Sequence, residues 1–206
     1  PSQGAFVKGR ESLFNMLICQ DLARGYQRHH ISPRCIMKID LQKAFDSVHW
    51  DFLWDLLSSL KFPTIFITWI QRCIASVSFS LQLNGQIHGT FKGGRGLRQG
   101  DPLSPLMFVI TMEYLSRLLQ LYSMRQGFKF YPGCKALGLT HLTFADDLII
   151  FAKADPLTLQ IIMEALHSFH ETAGLQVNMS KYWGDVIRTF MINAQQLQAS
   201  KKVHSP

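Results

Sequence analysis

The chain is 206 residues long and 47% hydrophobic, enough for one sizeable core with a smaller annex. It has no run of about 18 apolar residues, and Pro1-Ser2-Gln3 offers neither an initiator methionine nor a signal-peptide layout, so the expectation is a soluble, intracellular piece of something longer. Lysine and arginine exceed the acids by 21 to 14, a formal charge of +7 with a pI near 9.4, which favours a polyanionic partner such as nucleic acid.

Residues 11–26 carry Leu13, Met16, Leu17, Cys19, Leu22 and Ala23 at a roughly helical period and predict a helix. Residues 35–41 are short, apolar and partly β-branched, which predicts a buried strand ending at Asp40. Asp46 or Ser47 then stands where a helix cap is needed, and Trp50, Phe52, Leu53, Leu56, Leu57 and Leu60 continue as an amphipathic helix that Pro63 ends. Residues 64–75 read as a second helix. Residues 78–83 alternate strictly and meet a turn at Asn84-Gly85, so a hairpin is expected, with its return strand running to Phe91.

Gly93-Gly94-Arg95-Gly96 opens a loop that Pro102 and Pro105 carry into a helix over 106–121. Its glycine spacing fits neither the dinucleotide fingerprint nor the phosphate-binding loop. Residues 139–145 and 148–152 predict two apolar strands around a tight turn at Asp146-Asp147, and 156–173 a last helix. Residues 186–206 are expected to form a polar tail. Four widely spaced cysteines, Cys19, Cys35, Cys73 and Cys134, suggest neither a zinc site nor disulfides, and read as buried free thiols. The eight histidines show no ligand spacing.

The acids that interrupt this apolar pattern are the chemical signal. Asp40 closes one strand and Asp146-Asp147 sits between two others, with no lysine or arginine beside the pair in sequence. Carboxylates gathered against a core need a cation, and an all-oxygen donor set suits magnesium or manganese. Two such ions serve phosphoryl transfer. Taken alone, Asp-Asp between strands is more often a plain turn.

Five blocks change that balance. Ile39-Asp40-Leu41-Gln42-Lys43-Ala44-Phe45-Asp46-Ser47-Val48 resembles the first palm motif of the reverse transcriptases of non-LTR, LINE-type retrotransposons, with a plant-like cast. Residues 96–105, from Gly96 through Gln99-Gly100-Asp101 to Pro105, resemble the second palm motif, and Phe144-Ala145-Asp146-Asp147 the catalytic aspartate pair. Residues 174–181 resemble the next segment, and residues 3–10 the stretch upstream of the palm. All five stand in the family's order.

The resemblance implies an α+β palm with a ferredoxin-like antiparallel sheet backed by helices, over residues 36–185. A fingers-side connecting segment over 1–35 precedes it and the tail follows, without a thumb. It implies RNA-directed DNA polymerase activity with two Mg2+ or Mn2+ ions held by Asp40, Asp146, Asp147 and the Leu41 carbonyl. Phe45 would lie beneath the incoming sugar and Gln99 and Gly100 near the nascent pair. Arg98 would meet phosphate or template backbone, and Lys181 would protonate the departing pyrophosphate. Core packing for Phe45, solvated loop for Arg98 and plain surface for Lys181 remain the competing readings, and Asp46 reads as a cap. The implied partners are an RNA template, a DNA primer, deoxynucleoside triphosphates and the rest of a polyprotein, with no membrane. The implied setting is the nucleus, with a cytoplasmic ribonucleoprotein stage. Without most of the fingers and thumb the isolated chain is expected to be weak or inactive. The alternatives are a non-enzymatic nucleic-acid-binding remnant and a palm-type nucleotidyl cyclase.

Overall fold

Along β1 (Arg34–Asp40), Cys35, Met37 and Ile39 are buried while Lys38 is exposed and Ile36 and Asp40 are half-buried. Alternate residues of a strand face opposite sides of its sheet, so each face of β1 has its own fate. This computed structural model describes residue 9 and residues 12–24 and 33–177. After α1 (Ser12–Ala23) and β1 come α2 (Ala44–Ser47), α3 (Trp50–Ser59) and α4 (Thr64–Ala75). The hairpin β2 (Ser78–Leu83) and β3 (Gln86–Lys92) follows, then α5 (Ser104–Ser123), the hairpin β4 (His141–Phe144) and β5 (Asp147–Lys153), and α6 (Pro156–Ala173).

The central sheet is antiparallel throughout, in the order β1, β5, β4. Just past β1, Leu41 makes an isolated antiparallel bridge to Val177. One face carries Cys35, Met37, Ile39, Leu148 and Ile150 onto the buried stripes of α5 (Phe108, Met112, Leu115, Leu119) and α6 (Ile162, Leu166, Phe169). Each such aliphatic side chain, taken fully out of water, contributes about 1.5–3 kcal/mol. Among the described residues the other face is covered at one end only, where Phe151, Leu142, Tyr131 and Cys134 pack with Ile18, Cys19 and Leu22 of α1. This is the mixed α+β, antiparallel arrangement expected of a palm.

Local signals explain most boundaries. Asp155 caps α6 by accepting the Thr158 N–H at 3.3 Å, Pro156 stands in the first turn, and Gly174 ends the helix at φ 78°. Asp101 Oδ1 accepts the Leu103 N–H at 2.8 Å at the entry to α5. Asn84 and Gly85 both take positive φ, as a two-residue hairpin turn demands.

Several expectations need correction. The cap of α3 is His49, which makes no side-chain capping bond; Asp46 and Ser47 lie inside the short α2 instead. The tight turn between β4 and β5 is Ala145-Asp146, with Asp147 already the first residue of β5. Cys35 and Cys134 are buried, whereas Cys19 is half-buried and Cys73 exposed. On α1, Leu13, Phe14, Met16 and Leu17 face solvent, as do Phe79, Leu81, Leu83 and Phe91 of the β2–β3 hairpin. Strand period alone does not reveal that this ribbon carries an apolar face without covering it. Among the described residues, no helix is long and apolar enough to cross a membrane.

Candidate active site

Asp40, the last residue of β1, stands directly opposite Asp147, the first residue of β5. Directly paired residues of an antiparallel ladder project from the same face, so both carboxylates rise from the face opposite α5 and α6. Phe144 closes the β4–β5 hairpin against Asp147 and shares that face. Between them Ala145 adopts φ 52°, the conformation that lets a two-residue turn deliver Asp146 beside Asp147. Asp40 is half-buried, and Asp146 and Asp147 are exposed. Among the described residues, the acids thus sit at the end of the sheet face that α1 leaves open.

Lys38 was not singled out by the sequence. Its Nζ lies 2.9 Å from Asp147 Oδ1, with both side chains at least half exposed. Lys38 is two residues before Asp40 on the same strand, so it shares the face of both acids. That period-two relation was the signal available, and it was hidden because Lys38 and Asp147 are far apart in sequence.

The donor chemistry of Asp40, Asp146 and Asp147 is all oxygen and fits a hard divalent cation. Among the described residues, no group of three or more His, Cys, Asp or Glu side chains is drawn together as a ready metal cage. The ladder register sets Asp40 opposite Asp147 and the turn puts Asp146 next to Asp147 in the chain, but the three carboxylates are not drawn onto one point, and Asp147 is turned to Lys38. Leu41, whose carbonyl was a further candidate ligand, is buried just past β1, and the next residue, Gln42, donates its N–H to the Gln176 carbonyl at 2.9 Å.

The first motif also seats the second. The Phe45 and Val48 carbonyls accept the Leu97 and Gly96 N–H groups at 2.7 and 2.8 Å, and Trp50 Nε1 donates to the Gly96 carbonyl at 2.7 Å. His49 N–H donates to the Ala173 carbonyl at 2.9 Å, tying in the end of α6. Phe45 is half-buried, with its ring stacked on buried Phe108 at 4.6 Å. Arg98, Gln99 and Gly100 are exposed on the loop that Leu97 anchors, and Gly100 has φ 90° with open space where a Cβ would stand. Lys181 lies outside the described residues.

Beneath the sheet, His141 is buried between Thr140 Oγ1, 2.8 Å from Nδ1, and Ser116 Oγ, 2.8 Å from Nε2. Burial lowers its pKa to about 4 and keeps the ring neutral.

Comparison with known proteins gives the family and the fold. Residues 1–184 match the family model described as reverse transcriptase (RNA-dependent DNA polymerase). Over 162 residues the chain is 31% identical to the retrovirus-related Pol polyprotein from type-2 retrotransposable element R2DM of Drosophila melanogaster, covering 78% of this chain and 14% of that protein. Over 129 residues it is 34% identical to the Pol polyprotein from type-1 retrotransposable element R2 of Nasonia vitripennis, covering 61% and 12%. In fold it resembles telomerase from Candida albicans, solved in complex with the TWJ fragment of telomeric RNA. The TM-score is 0.61 at 15% identity, over 83% of this chain and 30% of that one. The chain thus spans only 14% and 12% of the length of these two relatives.

Proposed function

The chain belongs to the reverse transcriptase (RNA-dependent DNA polymerase) family, with non-LTR retrotransposon Pol polyproteins among its relatives; from that membership we propose that it is the palm of a polymerase adding deoxynucleotides to a primer 3'-hydroxyl on an RNA template. The observation that carries this reading is the register that sets Asp40 opposite Asp147 with Asp146 in the adjoining turn, on the open face of the sheet. Residues that hold reacting groups must be both fixed by a scaffold and open to substrate, and this end of the sheet is both.

Asp40, Asp146 and Asp147, with the Leu41 carbonyl, would hold two magnesium or manganese ions. Bound there, such ions supply activation of the attacking hydroxyl and charge stabilisation of the leaving pyrophosphate. The protein's own contribution is position. Phe45, braced by Phe108, presents a volume that excludes a 2'-hydroxyl and so selects deoxynucleotides. Gln99 and Gly100 lie against the nascent pair, where a residue without Cβ lets backbone approach the substrate. Arg98 meets phosphate, and Lys181 delivers a proton to pyrophosphate. The net charge of +7 supports nucleic acid as partner.

The working protein is a polyprotein acting in the nucleus after a cytoplasmic ribonucleoprotein stage, and the 206-residue chain alone extends primers weakly or not at all. The small share of its relatives' length that it spans supports the polyprotein context. The test is manganese-dependent extension of a DNA primer on an RNA template by a longer polyprotein, with Asp146→Asn as control. Extension that D146N abolishes supports the reading. Binding of primer and template without extension, unchanged by D146N, would instead identify a nucleic-acid-binding remnant.

A further inference from the structure

Asp40 and Asp147 face one another across the ladder, where directly paired Cα atoms stand about 4.5–5.5 Å apart. Like charges placed so are destabilising, and Asp146 adds a third acid beside them. The sheet provides an answer of its own. Lys38 pairs with Ile149, which puts Asp147 on the diagonal within reach of a long side chain, and its Nζ takes Asp147 Oδ1 at 2.9 Å. The exposed Lys38 side chain rises from the face that both acids occupy.

Building on the carboxylate site proposed above, we propose that Lys38 is a resident counter-ion of Asp147, held on it until a divalent cation displaces it, so that Lys38 lowers the metal affinity of the site. An ammonium and a dication compete for the same Asp147 oxygens. A cation entering between Asp40 and Asp147 must break the Lys38 pair and then stand close to a full positive charge. Metal affinity is therefore lowered by the strength of that pair plus the residual repulsion. Lys38 is a positioning residue in this sense: it acts on the site through Asp147.

Manganese binding to the 206-residue chain, followed by the electron paramagnetic resonance signal of free Mn2+, reads this without any catalysis. Lys38→Met should bind Mn2+ about fivefold more tightly than the wild type, the upper range for an exposed ion pair. Lys38→Arg, which keeps the charge and reach, should bind as the wild type does. Mn2+ affinity in K38M equal to or weaker than wild type overturns the role given to Lys38. Asp40→Asn and Asp147→Asn test the underlying site separately. If wild-type Mn2+ binding is absent or survives both, the reading of these acids as metal ligands falls. If both variants abolish it and K38M does not tighten it, that reading stands and only the counter-ion falls.

Discussion

Gly96 lies so close to Asp46 that a Cβ built on it would stand 2.6 Å from the Asp46 carbonyl oxygen, which is backbone and cannot swing away. Gly96 also has φ 88°, a conformation that side-chain-bearing residues rarely adopt. Through this contact and its bonds to Val48 and Trp50, the loop carrying residues 98–100 is seated on the motif that follows Asp40. Gly96→Ala is expected to cost about 2–4 kcal/mol, as clash and backbone strain act together. Urea denaturation measures it, and a loss below about 1 kcal/mol would mean the loop has another seat.

His141 gives the fold an acid-sensitive element. Its folded pKa is about 4 because burial disfavours the charged ring, against 6.5 unfolded. Between those values the unfolded chain binds a proton that the folded chain does not, so stability falls as pH drops through the window. Below both values the loss reaches about 3 kcal/mol. Urea midpoints at pH 7 and pH 4.5 should differ less for His141→Gln than for the wild type. An equal difference in both proteins would refute the assignment.

Asp155 joins two elements. It caps α6 through the Thr158 N–H and accepts from Lys129 Nζ at 2.6 Å, and the Lys129 bond first, then the Thr158 bonds, hold its pKa below the usual carboxylate range. Its stabilisation is present above the unfolded pKa and is lost as pH falls through the depressed one. Asp155→Ala should cost about 1–2 kcal/mol at neutral pH, mostly from the cap. Thermal melts of D155A and Lys129→Ala would separate the two, with the lysine change the smaller because its side chain is about half exposed.

Phe45 has a structural and a proposed chemical role that one pair of variants can part. Truncation to alanine removes the stack on Phe108 and should cost about 2–3 kcal/mol. Phe45→Leu restores much of the volume near the core. If Phe45 selects deoxynucleotides, both variants raise ribonucleotide incorporation in an extension-competent polyprotein, F45A more than F45L. Unaltered discrimination in F45A would leave Phe45 as a core residue alone.

Much of this protein was legible in its sequence, because the determining signals are local. The helical stripes of α4 and α6, the Pro156 start, the Asn84-Gly85 turn and the end of β1 at Asp40 follow from side-chain periodicity and backbone stereochemistry within a few residues. The five motif blocks likewise pointed to the family that the comparison then showed. The tertiary structure alone decided what depends on register and on partners distant in the chain. A strand's sequence does not state which residue will stand opposite Asp40, and it is pairing with β5 that puts Asp147 there and brings Lys38 within 2.9 Å of it. The same limit hid the seating of Gly96 on Asp46 and the burial of His141 between Thr140 and Ser116. Local stereochemistry writes the elements, whereas the charge balance of the site belongs to side chains that only the assembled sheet makes neighbours.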